Sequence, residues 1–300
     1  MKKTLVILIF SFIPYLVFSQ TCKSGNCNNG KGVWIWKNGN KYEGSFFEGY
    51  PNGFGKQTFK SGDVYIGDFK YGIYHGKGTF RTAQKDVYTG EWINGKKSGY
   101  GKYTWANGDV YEGDFFNDIA NGYGKQYLST GDIYEGAFAD GKFQGKGSYS
   151  WKDGKKYIGN FKEGEITGKG IIYFPNGNLY DGYLINGLFE GVGTFIWGNG
   201  DMYNGDFKNG KFQGVGIYEF ADKSRYIGEW RNGEKHGYGT RIYTDGSRYM
   251  GRWENDERAG QGTLIKEDGE QHSGTFKNNL LYNGKITYND GKMKQVINGK

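Results

Sequence analysis

Short stretches of this chain alternate an apolar residue or glycine with a polar residue, and the same stretch returns along its length. Residues 62–69 read GDVYIGDF, residues 108–115 read GDVYEGDF, and residues 200–207 read GDMYNGDF. With the tyrosine as position zero, position two is glycine and position four is Phe or Trp, with Leu184 as the exception. Alternation with period two is typical of a β-strand, so these three positions share one face and position three lies on the other.

The second half of each unit predicts another strand. It carries glycine at positions eleven and thirteen and often an aromatic residue at position fifteen, as in Gly99, Gly101 and Tyr103. Position seven is Gly, Asp or Asn, the residues that best tolerate a left-handed backbone, so we predict a positive φ there. Between units, pairs such as Asn107-Gly108 predict two-residue hairpin turns. Each unit is therefore predicted to be a β-hairpin.

The unit recurs every 23 residues, with tyrosines evenly spaced from Tyr42 to Tyr249 and His272 where the next is due. A fixed period of about 20–50 residues indicates a repeat array whose units pack on their neighbours. We predict an all-β chain, an elongated single-layer antiparallel meander of about eleven 23-residue hairpin repeats. Aromatic rings are expected to cover the bare backbone of neighbouring glycines.

The predicted organisation has four segments. Residues 1–19 read as a signal peptide, and residues 20–41 hold a cysteine pair and a half repeat. Residues 42–271 hold ten repeats, and residues 272–300 form a degenerate C-terminal repeat that acts as a cap. Lysines, an apolar run and the small residue Ser19 are typical of a secretory signal. We therefore expect an exported protein that is periplasmic, bound to the cell envelope or secreted.

Cys22 and Cys27 are the two cysteines of the chain, and both follow the predicted cleavage point. In an exported protein, such a closely spaced pair predicts a local disulfide. Attachment of a lipid to Cys22 is the alternative.

Composition and charge narrow the classes of partner. The chain has 55 glycines, and 18% of its residues are aromatic. Its formal net charge is +7, of which Lys2 and Lys3 of the predicted signal contribute two. So small a surplus does not call for a polyanionic partner, and no nucleic acid is expected.

The sequence offers no candidate catalytic, cofactor-binding or metal-binding residue, and we predict a protein that is not an enzyme and needs no cofactor. The histidines occupy repeat positions, as His75 and His236 do at position ten. Carboxylates at position three, such as Asp68 and Glu91, are predicted to form cross-strand ion pairs on a solvated face.

The motif Y-x-G-x-[FW]-x-x-G-x-x-x-G-x-G closely resembles the MORN repeat, the membrane occupation and recognition nexus. Residues 88–110 and 226–248 are the clearest copies, and the resemblance covers about residues 29 to 291. It implies an elongated, twisted sheet of hairpins with an aromatic-lined groove. It also implies scaffolding, dimerisation or, in some members, binding of anionic phospholipids.

We therefore expect a non-enzymatic scaffold for protein–protein interaction in the cell envelope or extracellular space, with a protein partner or self-association. The alternative is a ligand in the aromatic-lined groove, either an anionic phospholipid with a phosphoinositide-like head group or a glycan. The candidate groove residues are Trp34, Trp36, Tyr65, Phe69, Tyr88, Trp92, Trp105, Tyr111, Phe115, Tyr134, Trp151, Trp197, Tyr226 and Trp230.

Overall fold

The structure is a computed structural model that describes residues 20–300, so the predicted signal peptide lies outside the described residues. The described chain contains 25 β-strands and no helix. It divides into two compact units. Unit 1 comprises the described residues up to Gly108 together with Phe115–Asp118, and unit 2 comprises Asp109–Asp114 together with Ile119–Lys300.

Unit 1 contains eight complete strands. They are β1 (Gln20–Gly25), β2 (Gly30–Trp36), β3 (Lys41–Phe47), β4 (Tyr50–Thr58), β5 (Val64–Lys70), β6 (Ile73–Arg81), β7 (Val87–Ile93) and β8 (Lys96–Thr104). Strand β9 (Val110–Phe116) contributes its residues to both units.

Unit 2 contains the remaining sixteen strands. They are β10 (Ile119–Tyr127), β11 (Ile133–Ala139), β12 (Lys142–Ser150), β13 (Lys156–Lys162), β14 (Glu165–Tyr173), β15 (Leu179–Ile185), β16 (Leu188–Ile196), β17 (Met202–Lys208), β18 (Lys211–Glu219), β19 (Arg225–Arg231), β20 (Glu234–Ile242), β21 (Arg248–Glu254), β22 (Glu257–Ile265), β23 (Gln271–Lys277), β24 (Leu280–Thr287) and β25 (Met293–Val296).

Within each unit, every strand pairs antiparallel with the strand that follows it in the chain, as β5 does with β6 and β17 does with β18. The prediction of an all-β antiparallel meander of hairpins is confirmed. Cys22 and Cys27 are joined by a disulfide at the start of this meander, where β1 pairs with β2.

Two kinds of turn alternate along the meander. At the first, positions six and seven both have positive φ, as in Asn94 (52°) and Gly95 (79°), and this confirms the prediction for position seven. The geometry is that of a mirror-image two-residue turn, which matches the twist of its strands.

The second kind of turn differs from the prediction. At Asp153-Gly154, only the glycine has a positive φ, and the Gly154 N–H donates to the Trp151 carbonyl at 3.0 Å. The Asp153 carboxylate accepts the Lys155 N–H at 2.9 Å, which holds the aspartate in an ordinary turn conformation. The Trp151 N–H donates to the Lys155 carbonyl at 2.9 Å, so three residues, Lys152 to Gly154, lie inside the closing pair, and the prediction of a two-residue turn is wrong here.

One face of the sheet holds the packed core of each unit. We call it the tyrosine face, because the position-zero tyrosines lie on it, and the other the opposite face. The position-zero tyrosines from Tyr42 to Tyr249 are at most 2% exposed. The glycines at positions two and thirteen pair with each other across successive strands, as Gly67 does with Gly78 and Gly78 with Gly90. A row of bare backbone therefore runs under the tyrosines of each unit.

Candidate functional site

Each position-zero tyrosine lies flat over two glycines. A Cβ atom added to Gly78 would lie 2.3 Å from the Tyr65 hydroxyl oxygen, and one added to Gly67 would lie 2.7 Å from the same atom. No side chain fits at either position, because real Cβ atoms do not approach other atoms so closely. The predicted covering of glycine by aromatic rings is confirmed by this geometry.

The tyrosine hydroxyl also completes the hydrogen bonding of a β-bulge. Gly67 pairs with Gly78 and Phe69 pairs with Tyr74, so Asp68 alone faces residues 75–77 of the next strand. The Tyr65 hydroxyl donates to the Asp68 carbonyl at 3.0 Å. The same bond, to the residue three positions after the tyrosine, occurs at 2.7–3.0 Å in all ten repeats from Tyr42 to Tyr249.

The side chain at position three accepts a hydrogen bond from a backbone N–H of the strand opposite the bulge. The Asp68 carboxylate accepts the Lys77 N–H at 3.2 Å, and Glu229 accepts the Tyr238 N–H at 2.9 Å. The glycine at position eleven, directly before that N–H group, adopts a positive φ, which is 63° at Gly76. The prediction of cross-strand ion pairs is corrected for Asp68 and Glu229, because these carboxylates bind backbone N–H groups that the bulge leaves free.

The rings of neighbouring repeats form an edge-to-face ladder within each unit. In this ladder the position-zero tyrosine meets the position-four ring of the next repeat, as in Tyr42–Phe69 at 4.9 Å and Tyr203–Trp230 at 5.4 Å between centroids. These separations suit the attraction between the edge of one ring and the face of another. Leu184 stands at position four of its repeat, where the others have a ring.

Burial changes the acid–base properties of these tyrosines. It raises the pKa of Tyr42, Tyr134 and Tyr249 from 10.0 to about 12. The neutral hydroxyl is favoured because an ionised phenolate would lose its hydration and could no longer donate to the carbonyl. These shifted groups hold the sheet together.

Ten of the predicted groove residues are buried in the packed layer of the tyrosine face. They are Trp34, Tyr65, Phe69, Tyr88, Trp92, Tyr111, Phe115, Tyr134, Tyr226 and Trp230. Trp36, Trp105, Trp151 and Trp197 remain partly exposed at the strand ends of the same face. The sequence pattern locates the core correctly, but it does not separate rings that pack from rings that are accessible.

The opposite face carries an exposed apolar row that sequence reasoning missed. We call it the position-twelve row, since its members lie between the glycines at positions eleven and thirteen. Its members are 60–65% exposed: Phe54 and Tyr100 in unit 1, and Tyr123, Val192, Val215 and Tyr238 in unit 2. Reading position twelve down the aligned repeats could have revealed it.

Among residues 20–300, no cluster of His, Cys, Asp and Glu is suited to hold a metal ion. His272 occupies a tyrosine position and its Nε2 contacts Glu270 Oε1 at 2.5 Å. No helix of the described chain is long and apolar enough to cross a membrane.

The sequence profile of the MORN repeat matches eleven consecutive segments of the chain. They are residues 29–41, 42–64, 65–87, 88–110, 111–133, 134–156, 157–179, 180–202, 203–225, 226–248 and 249–271. No curated protein matches the chain.

Solved structures align with the chain at low similarity. The TCP10 domain of Danio rerio CPAP in complex with a peptide of Danio rerio STIL is 13% identical with a TM-score of 0.24, over 93% of this chain and 99% of that chain. The SAS-4 TCP domain of Drosophila melanogaster in complex with a proline-rich motif of Ana2 is 11% identical with a TM-score of 0.27, over 73% of this chain and 88% of that chain. Virginiamycin B lyase from Staphylococcus aureus, in a catalytically inactive form, is 12% identical with a TM-score of 0.14, over 93% and 87% of the two chains. At these scores the alignments carry no argument about this chain.

Proposed function

This chain belongs to the MORN-repeat family, and from that premise we propose that it is a non-enzymatic scaffold that binds an extended protein partner through the position-twelve row. Its place of action in this proposal is the cell envelope or the extracellular space. The repeats make the chain a repeat scaffold.

The position-twelve row is the observation that carries this proposal. In unit 2, Val192, Val215 and Tyr238 occupy the same position of three consecutive repeats, and each is more than 60% exposed. Equivalent residues lie two strands apart, a spacing of about 10 Å. Exposed apolar and aromatic side chains are typical anchors of protein interfaces. An extended partner could meet them one after another.

The packed tyrosine face supports a role without catalysis. Burial raises the pKa of its position-zero tyrosines, as for Tyr42 and Tyr249. Their hydroxyl groups donate to backbone carbonyls at 2.9 and 3.0 Å, respectively. A catalytic acid or base needs access to a substrate proton. These hydroxyls are committed to the backbone instead.

Two features support export. Residues 1–19 combine lysines with an apolar run in the manner of a signal peptide. Cys22 and Cys27 form a disulfide, a bond that persists mainly in oxidising compartments.

The test compares three forms of residues 20–300 as bait in crosslinking against an envelope extract. The row variant carries Val192→Lys, Val215→Lys and Tyr238→Lys, and all three positions are exposed enough to leave the packed face intact. The control variant carries Ile185→Lys, Leu188→Lys and Leu280→Lys, which are exposed apolar residues outside the row. Partners crosslinked by the wild type and the control, and lost from the row variant, would support the proposal.

Crosslinking that is equal for the row variant and the wild type would refute it. Flotation with vesicles of anionic phospholipid gives the alternative its own measurement. Salt-sensitive flotation that the row substitutions leave unchanged would favour the lipid alternative, since attraction to head groups weakens as salt screens charge. A parallel arm with immobilised glycans tests the other ligand named for the aromatic-lined groove.

A further inference from the structure

A cavity of about 250 Å³ opens on the tyrosine face of unit 1, at the Tyr88 repeat. The rings of Tyr74, Trp92 and Tyr103 line it, together with the side chain of Lys97. An apolar cavity of about 150 Å³ is sufficient to bind benzene. This cavity therefore has room for one aromatic ring and a substituent.

The residue at position nine explains why the space is open. In the repeats of Tyr134, Tyr180 and Tyr203, position nine is Phe, and its ring stacks on the tyrosine at 3.7–3.8 Å between centroids. In the Tyr88 repeat, position nine is Lys97. Tyr74 stacks on Tyr65 in the same way, so four repeats have a stacked ring at position nine and the Tyr88 repeat has none.

The Tyr226 repeat also has a lysine at position nine, Lys235, but larger neighbours surround it. Phe220 of the preceding repeat stands where Thr82 stands before the Tyr88 repeat, and the Arg241 guanidinium lies 3.8 Å from the centre of the Phe220 ring. The cavity therefore combines a position without a stacked ring, Lys97, with a small residue at its rim, Thr82.

The lining of the cavity offers one cation that lacks a hydrogen-bond acceptor. Lys97 Nζ lies 4.6 Å from the centroid of Tyr103 and 5.6 Å from that of Tyr88, and it donates no hydrogen bond to any residue between 20 and 300. Burial lowers the pKa of Lys97, an effect that Asp118 and Asp86 oppose. The nearby Asp86 carboxylate accepts from the Tyr103 hydroxyl at 3.3 Å and the Ala106 N–H at 2.8 Å.

We propose that this cavity binds a flat aromatic ring that carries a carboxylate. The ring lies among the half-buried rings of Tyr74, Phe80 and Tyr103, and the carboxylate pairs with the Lys97 ammonium. Two sources share this chemistry: a free aromatic acid, and the carboxyl-terminal aromatic residue of a polypeptide. The site lies on the tyrosine face, so it is independent of the position-twelve row.

The experiment titrates residues 20–300 with indole-3-acetate by calorimetry and ligand-observed NMR. A dissociation constant of about 1 mM or tighter is expected for a ligand of this size. The neutral isostere indole-3-acetamide should bind roughly tenfold more weakly, because it loses the charge-assisted bond to Lys97. N-acetyl-glycyl-tryptophan, as free acid and as amide, tests the polypeptide source. Tighter binding of this free acid than of indole-3-acetate would identify a chain terminus, and the reverse order a small acid.

Three variants locate the binding. Lys97→Phe and Thr82→Phe place in the cavity rings that the chain already accommodates at Phe143 and Phe220, and both should abolish binding. Lys235→Phe makes the same change in the Tyr226 repeat and should leave binding unchanged. Unfolding curves establish that each variant is folded.

The proposal is overturned if the wild type binds neither free acid, if acid and amide bind equally, or if both cavity-filling variants retain binding. Should Lys97→Phe fail to fold, Thr82→Phe and the comparison of acid with amide still decide the question.

Discussion

Replacing Gly216 with alanine would test whether each tyrosine and its glycines are matched parts. The φ of Gly216 lies outside the left-handed region, so an alanine meets no backbone penalty there. Its Cβ would lie 2.4 Å from the Tyr203 hydroxyl oxygen and 2.6 Å from ring carbons of the same residue. Tyr203 is 0% exposed, stacks on Phe212 at 3.8 Å and meets the edge of Trp230 at 5.4 Å, so it cannot retreat.

Two costs follow from this clash. Overpacking of a well-packed layer costs about 1–3 kcal/mol. Displacing the ring breaks its 3.0 Å bond to the Asp206 carbonyl, and leaving a buried acceptor unpaired costs about 1–3 kcal/mol. The reduced entropy of the unfolded chain offsets about 0.4–1 kcal/mol. We expect a net loss of about 3 kcal/mol in the free energy of local unfolding.

Hydrogen exchange of peptides from β17 to β19 measures this loss, because repeat arrays open locally and not as one cooperative unit. Gly210→Ala is the matched control. Gly210 has a φ of 78° and nothing within 4 Å of an added Cβ, so only the left-handed backbone cost of about 1–2 kcal/mol applies. Adding Tyr203→Leu to Gly216→Ala should restore part of the loss, with a coupling of at least about 1 kcal/mol.

The reasoning is refuted if the amides of Gly216→Ala exchange no faster than those of Gly210→Ala. It is also refuted if the effects of Gly216→Ala and Tyr203→Leu on the free energy of local unfolding are additive. Either result would mean that the ring does not fix the identity of the residue beneath it.

Three further predictions concern the same layer. Tyr180→Phe removes a 2.8 Å bond to a backbone carbonyl and should lower the free energy of unfolding by about 1 kcal/mol, and an unchanged thermal unfolding curve would contradict this. Leu184→Phe restores a ring to the edge-to-face ladder and should raise the free energy of unfolding by about 0.5–1 kcal/mol in a denaturant titration, whereas a loss would show that the backbone there cannot accept a ring. The pKa of Tyr42 and Tyr249 is raised from 10.0 to about 12, so their stabilising contribution is complete below pH 10 and is lost as the pH rises towards 12. Phenolate absorbance and circular dichroism should therefore change together, and ionisation with intact β-structure would contradict this.

The hairpin fold could be read from the sequence because its signals are local and repeated. Tyr88, Gly90 and Trp92 alternate with polar residues, and that pattern fixes both a strand and its buried face. Gly, Asp or Asn at position seven likewise predicts a left-handed turn.

The bulge was not predictable in the same way. Gly76 and Gly78 are the same residue type and lie two positions apart in the sequence. Yet Gly76 has a left-handed φ, and Gly78 lies beneath Tyr65. Their difference depends on how the two strands align, and no single strand records that alignment. The hydrogen bond from the Lys77 N–H to the Asp68 carboxylate depends on the same alignment, so the sequence alone does not predict it.

The candidate site shows a related limit. The aromatic pattern identified Tyr88 and Trp92 but could not show that each packs against a ring of an adjacent repeat, Tyr88 against Phe115 and Trp92 against Tyr65. The cavity beside Lys97 depends on two residues together, the lysine at position nine and the small Thr82 at the rim, and their effect becomes visible once the stacked rings of other repeats are known.

The hydroxyl bond and the edge-to-face contact impose a rule on how such a chain can change in length. The Tyr203 hydroxyl donates to a carbonyl of its own strand, and its ring packs against a ring of the following repeat. That repeat has the same residue types at the same positions. Loss or duplication of a whole period leaves both contacts available to the rejoined chain. Gain or loss of one residue inside a strand turns every later side chain of that strand to the wrong side. Evolution can therefore lengthen or shorten this protein by complete 23-residue repeats.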